Sequence, residues 1–145
     1  MKIEVLSNPH WEAMRAIVAC IVDEQGLISQ FYWPRDLLKA EIATAEAIGV
    51  FEGDILAGFI LYRELPGAQE ISLVATHPQY RRKGLMSELL KYMIRSKSLD
   101  KEIWLEVHHE NHQAQQLYEK MGFVLSGRRP GYYKDGAAAL LYSHP

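Results

Sequence analysis

A chain of 145 residues fits one compact domain, expected to span 1–145, and is too short for two ordinary ones. Its 48% apolar and 10% aromatic residues are enough to bury a core. Sixteen Lys and Arg against eighteen Asp and Glu give a formal net charge of −2. That balance argues against nucleic acid as a partner, because phosphate-backbone binding needs clustered excess cations.

The elements follow from periodicity. Lys2 to Leu6 alternates as a short strand. Residues 9–23 carry Trp11, Met14, Ile17, Val18 and Ile21 at helical spacing. Gly26 to Tyr32 breaks that pattern, and Pro34 opens a second helix with Leu37, Leu38 and Ile42. Strands over 48–52 and 55–63 flank a tight turn at Gly53-Asp54, and Pro66-Gly67 turns into a strand over 70–76. Gly84 to about Ser96 is helical through Leu85, Leu89, Leu90 and Met93. Glu102 to Val107 is a strand, and Asn111 caps a helix that runs to about Met121, with Gly122 beyond its end. Short strands at 123–125 and 138–142 finish a mixed α/β sheet of about seven strands and four helices, whose late strand–helix–strand unit should cross over right-handed.

Cys20 is the only cysteine, so an intrachain disulfide and a cysteine-based zinc site are excluded. Its apolar neighbours Ile17 to Val22 make it a small buried hydrophobe. Met1 to Val5 lacks the layout of a signal peptide, and no run of about 18 apolar residues exists, so the expected location is the cytoplasm, with no membrane partner.

Residues 71–90 carry the first chemical signal. A strand ends at Thr76, the basic turn Arg81-Arg82-Lys83 comes next, and Gly84 introduces a helix through Leu85, Met86 and Ser87. Unsatisfied N–H groups and the positive end of the helix dipole make an anion site there, suited to a pyrophosphate. A solvated basic turn that merely contains a glycine is the plainer reading of the same residues.

Residues 103–123 carry the second. Period-2 alternation sets Ile103, Leu105 and Val107 on one face and Trp104, Glu106 and His108 on the other. Glu106 is a carboxylate within an apolar strand, where burial is costly unless the group has a partner or a task. Burial also pushes a carboxylate toward the pKa range useful for proton transfer. Tyr118 sits seven residues past Asn111, and by position alone suits either a core tyrosine with a bonded hydroxyl or an acid.

With those residues in view, the chain resembles the GNAT acetyltransferase family. The family cofactor motif, Gln or Arg-x-x-Gly-x-Gly or Ala, corresponds to Arg81-x-x-Gly84-x-Met86 behind the lead-in Pro78-Gln79-Tyr80. Met86 departs from the small residue usual there, so its side chain must point away from the cofactor. Trp104 to Val107 with Asn111-x-x-Ala114-x-x-Leu117-Tyr118-Glu119-x-x-Gly122-Phe123 after it is similar to the RimI-type ribosomal-protein alanine N-acetyltransferases. The likeness runs from about residue 70 to 133 and includes Arg128-Arg129 and Tyr132-Tyr133. Before that it rests on layout and on Trp33-Pro34, similar to the family's Pro-Trp-Ser.

The resemblance implies the GNAT fold, acetyl-coenzyme A as co-substrate and a primary amine as acceptor, with direct transfer in a ternary complex. It implies that the backbone of Val74, Ala75 and Thr76 holds the acetyl and pantetheine arm and stabilises the oxyanion, that Arg82 to Ser87 hold the pyrophosphate, and that Asn111 touches the cofactor. Glu106 takes the place of the general base and Tyr118 that of the general acid. An α-amine titrates near about 7.7–8.0 and a lysine near about 10.4, so the α-amine of a protein N-terminus needs the smaller help. A small-molecule amine, or acyl-coenzyme A sensing without turnover, are the alternatives.

Phe31, Tyr32 and Trp33 either pack as core or line the acceptor pocket, with Tyr132 and Tyr133 as further pocket residues. The crowded His108, His109 and His112 invite a metal, but His108 and His112 straddle a strand-to-helix loop and only Glu106 and Glu110 are near, so no metal is expected. Where RimI-type chains carry acids near the last hairpin, this one has Asp135-Gly136 and then Ala137, Ala138 and Ala139, so acidic lining for a basic peptide is thin. The expected assembly is a monomer or a homodimer.

Overall fold

The structure is a computed structural model that describes residues 1–7, 10–25, 35–133 and 135–145, with side chains at all of these except 22–25 and 35–36. Phe31, Tyr32, Trp33 and Pro34 lie outside the described residues. The chain runs β1 (Lys2–Val5), α1 (Trp11–Gln25), α2 (Arg35–Thr44), β2 (Glu46–Glu52), β3 (Ile55–Leu65), β4 (Ala68–Thr76), α3 (Leu85–Ser96), β5 (Glu102–His108), α4 (His112–Lys120), β6 (Val124–Arg129) and β7 (Ala139–His144).

The strands form one mixed sheet in the order β1-β2-β3-β4-β5-β7-β6. Among the described residues only β4 and β5 pair in parallel, as two strands joined through a helix must when they point the same way. The other neighbours are antiparallel. Both faces of the sheet are covered. Met14, Ile17, Val18 and Ile21 of α1 and Leu38 and Ile42 of α2 pack with Phe59, Leu61, Leu73 and Ala75. Leu85, Leu89, Leu90 and Met93 of α3 and Tyr118 of α4 pack with Ile48, Val50, Ile60 and Ile71. Among the described residues no helix is long and apolar enough to cross a membrane.

Two details bear on the site. Cys20 is half-buried rather than sealed in the core, and its Sγ lies 3.9 Å from His77 Nε2. Position 20 flanks the Ile17–Ile21 stripe, so it meets the turn after β4 rather than the centre of the sheet. In β4, Leu73 pairs with Leu61 and Ile71 with Tyr62, which leaves Ser72 as an extra residue in a β-bulge. Ile71 and Leu73 consequently serve cores on opposite faces, although strict alternation would put them on one.

Candidate active site

The β4–β5 ladder holds only three pairs, Ala68 with Glu102, Gln69 with Ile103 and Glu70 with Trp104. β4 then runs on to Thr76 and β5 to His108 without pairing to each other. The Ser72 bulge lies just past the last pair, where it adds twist and bends β4 away. Ser72 Oγ donates to Glu41 Oε2 at 2.9 Å, and Glu41, buried on α2, also accepts from Arg63, through Nε at 3.1 Å and through Nη2. These three donors offset the cost of burying the carboxylate and tie the bulge at Ser72 to α2 and β3.

The separation opens a cleft of about 440 Å³ through the sheet. Its walls include Val74, Glu106, Asn111, Tyr118, Arg129, Tyr132 and Tyr133. The face of β5 that carries Trp104, Glu106 and His108 passes from open to covered along the strand. Trp104 is 46% exposed, the Glu106 side chain 25%, and His108 only 7%. Glu106 is thus partly open to the cleft rather than sealed in the core as the apolar strand suggests. Its Oε1 stands 3.4 Å from Arg129 Nη2, and its Oε2 is buried without a hydrogen-bond partner among the described residues. An orphaned carboxylate oxygen beside a cavity is an acceptor waiting for a donor.

Tyr118 is held by α4 and packs against the rings of Phe123 and Tyr142, with centroids 5.8 and 6.3 Å away. Burial pushes its phenol well above the usual tyrosine range, with Tyr133 adding to the effect, so the hydroxyl keeps its proton. Tyr133 is likewise pushed up by burial and then by the Glu106 charge. Tyr132 is raised by burial and Glu106 too, with its ring 5.6 Å from the Arg129 guanidinium. Asn111 caps α4, its Oδ1 accepting from Ala114 N at 3.1 Å, while its side chain lines the cleft.

The basic turn lies beyond the cleft, where β4 leads through a short 3-10 turn at Pro78–Tyr80 to α3. Arg82 and Gly84 both adopt left-handed backbone, at φ 66° and 73°. Left-handed Arg costs about 1–2 kcal/mol, whereas each buried leucine of α3 contributes about 1.5–3 kcal/mol. Leu85, Leu89 and Leu90 therefore outweigh the strain and fix the turn that precedes them. Gly84 has no side chain to cap α3, so the first-turn N–H groups receive no acceptor from it. Arg81, Arg82 and Lys83 are exposed, with Lys83 Nζ 5.3 Å above the Tyr80 ring. Leu85 and Met86 send their side chains into the core, so only their backbone faces the turn, and Ser87 is half-buried. Uncapped N–H groups beside three cations fit a polyphosphate.

Residues 11–123 match the family model for the acetyltransferase (GNAT) family. The chain belongs to the GNAT acetyltransferase family. Within it, the chain is 34% identical over 110 residues to an N-alpha-acetyltransferase of Saccharolobus solfataricus, covering 72% of this chain and 66% of that one. It is 28% identical over 123 residues to the N-alpha-acetyltransferase RimI of Mycobacterium tuberculosis, covering 81% and 77%. It spans less than half the length of two longer relatives that it also matches. The crystal structure of the ribosomal-protein-S18-alanine N-acetyltransferase from Escherichia coli superposes with a TM-score of 0.86 at 24% identity, covering 99% of this chain and 92% of that one. The GNAT fold is thereby shared.

For a GNAT chain, the expected acid–base residues Glu106 and Tyr118 share one cleft with Val74, Asn111, Tyr132 and Tyr133. Ala75 turns its side chain into the opposite core, and Thr76 ends β4. The turn 81–87 stands apart from the cleft at the end of the same strand. Sequence reasoning missed Arg129 as the partner of Glu106, and Glu70, Trp104 and Leu141 as cleft walls. The alternation of β5 already set Trp104 beside Glu106, but nothing local indicates which of Arg128 and Arg129 faces it.

Proposed function

We propose that this protein is an N-acetyltransferase that uses acetyl-coenzyme A and acts on the α-amine of a protein N-terminus. The observation that carries the reading is Glu106 Oε2, buried and without a partner among the described residues, on the wall of a cleft that also holds the protonated hydroxyl of Tyr118. Acetyl-coenzyme A supplies an acetyl group activated as a thioester. The uncapped start of α3, with Gly84 and the basic turn from Arg81 to Lys83, binds its pyrophosphate. The edge of β4 beyond Glu70, with Val74 to Thr76, has no strand partner toward β5 and offers backbone groups to the pantetheine arm.

Glu106 Oε2 accepts a proton from the acceptor ammonium or amine, directly or through a water. Tyr118 holds a proton ready for the departing sulfur. Tyr132 and Tyr133 wall the acceptor side, with Arg129 beside Glu106. The 34% identical N-alpha-acetyltransferase of Saccharolobus solfataricus supports an N-terminal α-amine as acceptor. The lower pKa of an α-amine, about 7.7–8.0 against about 10.4 for lysine, asks less of the base.

The test incubates the protein with acetyl-coenzyme A and peptides that differ in their first residue, beside lysine-bearing peptides and small polyamines. Mass spectrometry locates the added acetyl group. Acetylation confined to the α-amine supports the reading. Transfer to small amines alone moves the acceptor class, and coenzyme binding without thiol release converts the protein to a sensor.

A further inference from the structure

We propose that His108 is a positioning residue for the acceptor side, holding Tyr133 against the wall of the cleft through Asp135. The inference rests on the acetyl transfer proposed above. His108 is the last residue of β5 and the most covered group on the strand face that carries Glu106. Both ring nitrogens are committed. Nδ1 accepts from the backbone N–H of Glu110 at 3.0 Å, so the ring hydrogen sits on Nε2, which meets Asp135 Oδ2 at 2.7 Å.

Asp135 is itself tied back, since its Oδ1 accepts from Ala137 N at 2.9 Å. Backbone bonds from Tyr133 N to Ala137 O, Gly136 N to Tyr133 O and His109 N to Ala138 O close the same turn. The Tyr133 ring lies over the His108 ring with centroids 4.9 Å apart, and the His109 ring stacks on His108 at 5.5 Å. Tyr133 then reaches the cleft that Glu106 and Tyr118 line.

A purely structural residue at position 108 would not need an imidazole. An apolar side chain fills such a place without the cost of burying two polar atoms, and buried polar groups are tolerated only when bonded. Here the ring bridges β5 to a turn whose Asp135 side chain is 43% exposed. That is how a residue outside the chemistry sets the geometry of one inside it.

The experiment compares wild type with His108→Leu, His108→Gln and Asp135→Ala, each with a peptide acceptor and acetyl-coenzyme A, alongside hydrogen exchange at the amides of Tyr133, Gly136 and Ala137. For His108→Leu and Asp135→Ala the acceptor KM should rise about tenfold, the weight of one hydrogen bond to a charged group, while the KM for acetyl-coenzyme A stays within about twofold. The double variant should be no worse than either single one. His108→Gln, whose amide N–H can still reach Asp135, should recover most of the loss. Exchange at the three amides should accelerate in the two disruptive variants and not at α3. An unchanged acceptor KM, or equal rises in both KM values, overturns the proposal, as does unchanged exchange. Asp135 lies on the surface, so its variant reports even where a change at His108 prevents folding. Faster exchange in variants of a protein whose wild type transfers nothing to any amine would support the clamp while sinking the acetyl-transfer reading.

Discussion

Glu70 and Trp104 form the last rung between β4 and β5, and both line the cleft that opens beyond them. Below that rung the strands are fastened, since Glu64 pairs with Lys101 and accepts from Gln69 Nε2 at 2.6 Å. Above it the Ser72 bulge turns β4 aside. A parallel pair closed at one end and parted at the other gives a wedge that exposes strand backbone beside a carboxylate. That wedge is what puts Glu106 and Tyr118 on the walls of one cleft.

Replacing Glu106 by Gln removes the proposed proton acceptor while keeping shape. Turnover should fall about 10²- to 10⁴-fold, the usual contribution of a positioned base. Calorimetric titration with acetyl-coenzyme A should show affinity within about twofold of wild type. A retained rate would transfer the role of base elsewhere.

Tyr118→Phe deletes one buried hydroxyl and leaves the packing on Phe123 and Tyr142. Steady-state assays should show turnover lower by about 10²- to 10⁴-fold. Its thermal unfolding midpoint should hardly move, because the ring contacts that hold the side chain are kept. Unchanged turnover would make Tyr118 a core residue only.

Gly84→Ala separates backbone conformation from packing, since no atom beyond its chain neighbours lies within 4 Å of the added methyl. The left-handed φ of 73° makes alanine there cost about 1–2 kcal/mol of stability. Relaxing that strain disturbs the α3 N-terminus, so the acetyl-coenzyme A Kd should rise while a saturating concentration restores turnover. Equal Kd values would remove the turn from the binding site.

Glu41 tests the bulge. The Arg63 hydrogen bond holds its carboxyl below the ordinary range against opposing burial, with Ser72 assisting. A depressed folded pKa gives stability that is present above the unfolded value of about 4.3 and is lost as pH falls through the folded value. Urea unfolding should therefore find Glu41→Gln weaker than wild type by about 1–2 kcal/mol at pH 7, with the gap closing as the pH falls through the folded value. A gap that stays constant through the whole acid titration would show that the charge of Glu41 contributes nothing.

Local periodicity made much of this protein legible. The stripe Leu85, Leu89, Leu90 and Met93 defines α3, Asn111 caps α4 as its side chain suggests, and the alternation of β5 sets Glu106 apart from Ile103 and Leu105. Gly84 announces a left-handed residue before a helix. The last two strands were legible only in part. β6 runs to Arg129 and β7 to His144, because pairing to each other and to β5 extends segments whose own patterns are short.

What only the tertiary structure decided is register. Caps and stripes depend on neighbours three or four residues away, so the amino-acid order by itself determined the helices, the face of β5 and the basic glycine turn before α3. The extra residues at Ser72 and between Leu125 and Gly127 each reverse the faces of the residues after them, and each arises in the pairing of a strand with its neighbour in the chain, β4 with β3 and β6 with β7. Those two insertions settle where β4 leaves β5 and which of two adjacent arginines meets Glu106. The site is built where strand pairing overrides local alternation, and a period of two carries no record of where it is interrupted.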